Sequence, residues 1–247
     1  MIFDIHAHVG HSKFSEGLIT SETILKIMDT SGIDKAILLP TVSTGKIISA
    51  EQMKKEVDRD PERLVGFFAC DIKVKGSVEL FTEAVTKYGA KGIKIHPVYS
   101  ACAADDEKWV YPLVERAGEL KVPVMFHTGE APFATPWQVG LVAMDFPQTT
   151  IILEHMGFDA MVYTDAAIKM AKKCDNIILG TTGVMYDMPI TKAVTAIGSD
   201  RIVYGGEIPM NNPLHEQKKV QVAKISDEEK EKILGKNICR ILNISFS

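Results

Sequence analysis

The sequence predicts an α/β protein built as one closed (β/α)8 barrel over residues 1–247, and three observations lead there. Short β-branched apolar runs alternate with segments of helical period from one end of the chain to the other. Eight such runs in 247 residues is the usual size of this barrel. The turn after the first run reads Val9-Gly10-His11-Ser12, without the glycine fingerprint that an open dinucleotide-binding sheet carries there.

The predicted strands are 2–8, 35–40, 64–70, 91–96, 122–127, 150–155, 176–181 and 201–205. Their nearly continuous apolar character, as in Ala36-Ile37-Leu38-Leu39, fits strands covered on both faces. Helical periodicity fills the intervals at 22–29, 50–59, 78–88, 108–120, 136–146, 160–172 and 189–197. Crossovers of this length return the chain to the same sheet edge, so neighbouring strands run parallel. A last helical region, 226–242, lies beyond the eighth strand as an extra C-terminal helix. It opens on Ser226 with Glu229 three residues on, the pattern of a capping box. No repeat, low-complexity tract or linker divides the chain, so a single domain is expected.

Composition narrows the function. With 28 basic and 32 acidic side chains the formal charge is −4, and the chain is 46% hydrophobic and 24% charged. These are values of an ordinary soluble globular protein, not of a disordered chain or a coiled coil. Nucleic acid is not an expected partner, because phosphate neutralisation needs concentrated Lys and Arg. The Lys-rich stretch 218–232 is interleaved with Asp227, Glu228, Glu229 and Glu231. The longest apolar runs, such as 64–70, fall far short of the roughly 20 residues of a membrane span. Asp4, His6 and His8 interrupt the N-terminus, which does not read as a signal peptide. Cys70, Cys102, Cys174 and Cys239 form no CxxC pair or disulfide framework, so a reduced, cytoplasmic protein is expected.

The histidines carry the functional argument. Five of the seven fall at predicted strand ends: His6 and His8 on the first strand, His96 on the fourth, His127 on the fifth and His155 on the sixth. In a barrel those ends share the face where active sites are built. Strand residues two apart point the same way, so both imidazoles of His6-Ala7-His8 can enter the mouth while Ala7 faces the helices. Together with His127 and His155 they read as a metal site, and imidazole suits zinc particularly, with iron, nickel or copper also possible. Glu207, set between Gly205-Gly206 and Pro209, offers a carboxylate that can ligate the ion and exchange a proton with its water. Lys94 and His96 form a second i, i+2 pair. A lysine drawn into a barrel needs an anion, either a substrate carboxylate or a neighbouring acid, and the alternative is a carboxylated Lys94 that bridges two metals. Asp4 is expected on the same face as His6, lower in the barrel, as an orienting group.

These segments, taken in order, resemble a known family. They are Asp4-Ile5-His6-Ala7-His8, Gly92-Ile93-Lys94-Ile95-His96-Pro97, Pro123-Val124-Met125-Phe126-His127-Thr128-Gly129, Ile152-Leu153-Glu154-His155-Met156-Gly157, the strand-eight segment 201–209, and 233–242. The chain looks like a member of the amidohydrolase superfamily, in the compact branch that includes carboxymuconate-semialdehyde decarboxylase-like enzymes. The resemblance implies a TIM barrel with one divalent ion at its mouth, usually zinc, with manganese or iron as alternatives. It implies His6, His8, His127 and the strand-eight carboxylate as ligands, and His155 as the group that orients or activates water or substrate. The family's strand-eight motif resembles Gly-Ser-Asp-x-Pro, whereas Glu207 is one methylene longer. Misplacement by about 1 Å can cost on the order of 100-fold in rate. Some relatives, similar to pyrone-dicarboxylate lactonase, hydrolyse without a metal.

The expected activity is metal-dependent hydrolysis of a small polar amide, lactone or ester by a metal-activated water. His155 and Glu207 are the expected catalytic residues, and Lys94 and His96 are expected to hold an anionic group of the substrate. The alternatives are a metal-dependent non-oxidative decarboxylase of a small carboxylic acid and, because of Glu207, a catalytically weakened binding barrel. The expected partner is a small molecule, with no nucleic acid and no membrane. Relatives of this kind are often dimers, so a homodimer stays open.

Overall fold

Strand β1 (Phe3–His11) runs beyond its predicted end, and its last residues pair with a two-residue strand, β2 (Leu18–Ile19). That short antiparallel pairing is absent from the sequence reading. The fold is that of a computed structural model in which residues 1–14, 17–158 and 161–245 are described. Parallel to β1 follow β3 (Lys35–Pro40) and β4 (Leu64–Gly66). A second parallel sheet runs in order through β5 (Ile93–Ile95), β6 (Val124–His127), β7 (Ile151–Glu154), β8 (Ile177–Gly180) and β9 (Ile202–Val203). Two seams join the sheets, at Phe68 beside Ile93 and at Ala7 beside Ile208. Backbone bonds extend each seam: Lys94 N–H donates to Phe68 O (2.7 Å), and His8 N–H donates to Ile208 O (2.7 Å). The eight parallel strands therefore close on themselves, which removes the open edges of a sheet.

Helices α1 (Ser21–Ser31), α2 (Ala50–Val57), α3 (Ser77–Thr86), α4 (Tyr111–Leu120), α5 (Pro136–Asp145), α6 (Met161–Lys173), α7 (Met188–Ile197) and α8 (Pro213–Val222) form the outer layer. Capping boxes start two of them, Ser49 with Gln52 on α2 and Thr135 with Gln138 on α5. The helix predicted over 108–120 begins only at Tyr111, where Pro112 occupies the first turn. The helix predicted over 160–172 opens on a residue that lies outside the described ones. Each helix buries one stripe against the strands, as Ile24 and Met28 of α1 do against Ala7, Val9 and Leu38.

Inside the barrel Phe3, Ile5, Ile37, Leu39, Phe67, Met125, Ile152, Ile178 and Val203 form one cluster. The C-terminal run closes it from below. It comprises α9 (Asp227–Glu231), a wider π-type turn (Lys232–Lys236) and α10 (Asn237–Leu242), and α10 lays Ile238, Cys239 and Leu242 against the barrel interior. Ser226 and Glu229 make the expected capping box. Strand eight is shorter than predicted because Tyr204 N–H leaves the ladder and donates to Ile233 O of this run (2.9 Å). Among the described residues no helix is long and apolar enough to cross a membrane.

Candidate active site

The first strand delivers two imidazoles through a change of parity. Phe3 and Ile5 face the barrel interior, whereas Ala7 and Val9 pack toward the helices. Strict alternation would put all four on one side. The β1–β3 register is irregular between Asp4 and Ala7, and past that point His6 and His8 line the mouth. Asp4 does not share their face as expected. Its Oδ1 accepts the backbone N–H of His6 (2.8 Å) and of Gly206 (2.7 Å), so it staples β1 to the turn after β9. Burial pushes the Asp4 carboxyl up to about 7, against the pull of those two donors. His6 Nε2 lies 2.7 Å from His8 Nε2. Burial first, then neighbouring positive charge, lowers His8 to about 3 and holds His6 well below its ordinary value. Neutral imidazoles are the form that binds metal.

Glu154 is a further candidate site residue, absent from the sequence expectations. It follows Ile152 by two on β7, stands level with His127 in the β6–β7 register, and is fully buried (0% exposed). The Lys94 ammonium lies in direct contact with its Oε2. His6 Nδ1 stands 3.0 Å from Oε1, while His155 Nε2 and His127 Nδ1 stand 3.2 and 3.7 Å from Oε2. None of these imidazole contacts is aligned as a hydrogen bond, since both Glu154 oxygens and His6 Nδ1 lack a hydrogen-bond partner. Alternation alone would point His155 away from the mouth. Its left-handed backbone (φ 66°), followed by Met156 (φ 46°), brings the ring back beside Glu154. His155 Nδ1 lies 3.2 Å from Thr182 O, and only an N–H can bond a carbonyl, so the proton belongs on Nδ1 and Nε2 keeps its lone pair. Burial lowers His155 to about 3. The sequence did hold a signal for Glu154: a strand covered on both faces offers a carboxylate no solvated side.

Glu207 sits in the left-handed region (φ 56°), just before a cis Ile208–Pro209 bond. The turn is tight, because a Cβ on Gly205 would lie 2.0 Å from Thr182 Oγ1 and one on Gly206 would lie 2.5 Å from Asp4 Oδ2. Burial pushes the Glu207 carboxyl up to about 6, and Lys94 draws it the other way. Burial likewise pulls Lys94 well below the usual lysine range, while Glu207 and the touching Glu154 carboxylate favour its charge.

Two groups of side chains can each hold an ion: His6, His8 and Glu207, and His6, Glu154 and His155. Within each group the ligand atoms lie within 4.8 Å of one another. Three of the four expected ligands thus converge. His127 belongs to neither group. Its ring stacks on His96 (centroids 4.0 Å apart), and its Nε2 lies 3.5 Å from Glu130 Oε2. Burial lowers His127 to about 3 and holds His96 below its ordinary value. Neutral imidazoles, buried carboxylates and unpartnered nitrogens on His6 and His8 fit a divalent first-row ion. Lys94 and His96, expected at the substrate, line the same cavity of about 320 Å³. The rest of its lining combines Phe14, Val42, Val98, Tyr99, Phe158 and Met210 with the polar Ser12, Thr41 and Ser43, and Lys13 lies over the Tyr99 ring at 4.8 Å.

A family profile described as Amidohydrolase matches residues 44–244. The chain belongs to the amidohydrolase family. The matched span of this amidohydrolase takes in Lys94, His127, Glu154, His155 and Glu207, while His6 and His8 precede it. A solved 2,6-dihydroxybenzoate decarboxylase from Rhizobium superposes with TM-score 0.77 at 17% identity over 98% of each chain. A dihydroxybenzoic acid decarboxylase from Polaromonas sp., with bound manganese and an inhibitor, superposes with TM-score 0.75 at 17% identity over 98% of this chain and 96% of that one. A probable 2-pyrone-4,6-dicarboxylic acid hydrolase from Acinetobacter baumannii gives TM-score 0.73 at 12% identity over 98% and 99%. At such identities the likeness is one of fold, and it agrees with the closed barrel. No curated protein matches the sequence.

Proposed function

We propose that this amidohydrolase is a metal-dependent, non-oxidative decarboxylase of a small planar carboxylic acid. The observation that carries the proposal is the cavity: a histidine and carboxylate floor under a rim of Phe14, Tyr99, Phe158 and Met210. Such a rim suits the flat apolar body of an unsaturated acid better than a polar amide, and the volume of about 320 Å³ fits a single ring. Two of the similar structures are decarboxylases of dihydroxybenzoates.

His6, His8 and Glu207 would hold the ion, zinc or manganese. When bound, it supplies Lewis-acid stabilisation of negative charge on a substrate oxygen. The chain's own groups do the rest. Lys94, its charge shared with Glu154, and His96 form the wall against which the acid rests. His155 presents an Nε2 lone pair to the site and accepts a hydrogen bond from a donor group of the substrate. The bond between the ring or chain carbon and the carboxyl carbon breaks, carbon dioxide leaves, and the electron pair stays on the carbon. Glu207, raised by burial to about 6, is the group that relays a proton: it takes one from water and delivers it to that carbon.

Hydrolysis of a small amide, lactone or ester is the second reading, favoured by the likeness to the probable pyrone-dicarboxylate hydrolase. One experiment separates the two. The manganese-loaded protein is incubated with hydroxybenzoates and unsaturated small acids labelled with carbon-13 at the carboxyl, and with lactones and amides, while released labelled carbon dioxide is followed by mass spectrometry. Labelled carbon dioxide that disappears in Glu207→Gln is the expected result. Hydrolysis of a lactone or amide without carbon dioxide would overturn the decarboxylase assignment.

A further inference from the structure

The cavity is lined by two lysines that are held in different ways. Lys94 touches Glu154, whereas the Lys13 ammonium, among the described residues, rests on rings, 4.9 Å from the Phe14 centroid and 4.8 Å from that of Tyr99. A cation over an exposed ring is held weakly and is free to turn to a stronger partner. The backbone around it, by contrast, is fixed. Lys13 N–H donates to Ser43 Oγ (3.2 Å), Phe14 N–H donates to Ser12 Oγ (3.1 Å), and Thr41 Oγ1 donates to His11 O (2.6 Å). These bonds tie the loop after β1 to the loop after β3. They use the Ser12 and Ser43 hydroxyls only as acceptors, so each keeps its own proton to give, with no acceptor among the described residues. Two hydroxyl donors and an ammonium that line one cavity call for an acceptor that carries negative charge.

A column of rings leads from this wall to the floor. Tyr99, under Lys13, lies against His96 with centroids 4.2 Å apart, and His96 stacks on His127 at 4.0 Å. Glu130, the acid of the mouth, stands beside His127 Nε2 (3.5 Å) at the other end of this column, so the wall of Ser12, Lys13 and Ser43 is the positive one. A planar molecule lying along the column has one end at the histidines and carboxylates of the floor and the other at Lys13. We propose that the acid taken by this site carries a second carboxylate, at the end remote from the one that leaves, and that Lys13 binds it together with the Ser12 and Ser43 hydroxyls. The inference rests on the decarboxylase reading above and narrows its substrate class to dicarboxylic acids. Lys13 touches no reacting atom; it selects the substrate and positions it.

Isothermal titration of the manganese-loaded full chain with benzoate, isophthalate and terephthalate tests this. At least one of the two dicarboxylates is expected to bind wild type about 10–100-fold more tightly than benzoate, the gain of one charge-assisted contact. Lys13→Met is expected to bring that ratio below about threefold, while Lys13→Arg, which restores the charge, keeps most of it. A wild type that binds benzoate as tightly as both dicarboxylates overturns the proposal, as does a Lys13→Met that weakens all three acids equally. The decarboxylase reading fails separately. A preference that Lys13→Met abolishes, with no labelled carbon dioxide released from any acid, overturns that reading and leaves the second-carboxylate site standing as a binding site. Carbon dioxide from monocarboxylic acids, with no preference for dicarboxylates, keeps that reading and overturns this inference. A wild type that binds none of the three acids overturns both.

Discussion

One methylene decides how far a carboxylate reaches at the strand-eight turn. Glu207 stands where the family motif resembles aspartate, and its left-handed backbone still leaves its oxygen in one group with His6 and His8. The longer arm and the backbone are matched, so Glu207→Asp is expected to weaken manganese(II) binding by about 10–100-fold. Isothermal titration checks this, and tighter binding in the variant would mean that glutamate blunts the site. Asp4 gives a second prediction at this scale. Its carboxyl ionises near 3.8 unfolded and about 7 folded, because burial disfavours the charge. Between those values the folded protein keeps a proton that the unfolded chain has lost. The contribution to stability is therefore full below 3.8 and falls as pH rises toward about 7, by on the order of a few kcal/mol. Urea titrations with a chelator present should show wild type losing stability from pH 4 to 7 relative to Asp4→Asn; a relative gain would contradict the assignment. His6 and His8 were legible in the sequence because strand residues two apart share a face, and both line the mouth. Glu154 had a signal, a carboxylate in phase with Ile152 on a strand covered on both faces, whereas its pairing with His155 had none, because the left-handed residues at 155 and 156 let two consecutive side chains enter the mouth.

At the scale of elements, helix α8 ties the two loops that frame Glu207. Glu216 is buried (1% exposed) and accepts the Gly183 N–H after β8 (3.0 Å) and the Asn211 side-chain N–H after β9 (2.9 Å). Lys219, one turn on and also buried, pairs with it at 2.6 Å and donates to Val184 O. Asn211 N–H in turn donates to Glu207 O (2.9 Å), so the helix holds the turn that carries the strand-eight carboxylate. Removing one partner of a buried pair strands the other, so Glu216→Ala is expected to cost about 3–5 kcal/mol. Glu216→Leu/Lys219→Met, which removes both charges, is expected to recover most of that in a urea melt while leaving the turn loose and manganese(II) binding weaker. Equal stability losses in the single and double variants would sink this account. Such a tie is hard to read from a sequence: Glu216 and Lys219 look like solvated residues of an amphipathic helix, and only the loops folding over them make them interior.

For the whole molecule, the alternation of eight runs was legible because each strand is covered on both faces and helices must intervene to keep the pairing parallel. The closing seam was not, since Ala7 beside Ile208 joins residues at opposite ends of the chain, and neither the backbone bonds there nor the Asp4 carboxylate that accepts from Gly206 N–H leaves a pattern in the sequence. The same closure separates stability from chemistry. The mouth collects imidazoles and carboxylates, while the opposite end is sealed by α10, whose Ile238 is fully buried beneath the barrel interior. Asn237 fixes that helix by donating to Ser199 O and Ile202 O at 2.7 Å each. The barrel interior lies between the plug and the mouth, so a cavity opened at Ile238 removes packing without touching a ligand. Ile238→Ala is therefore expected to cost about 2–5 kcal/mol in a urea melt. Its manganese(II) stoichiometry and its rate of carbon dioxide release should match wild type at a temperature where both are folded. If metal binding fell in step with stability, the two ends of the barrel would be mechanically coupled, and the division of labour between its faces would not hold for this chain.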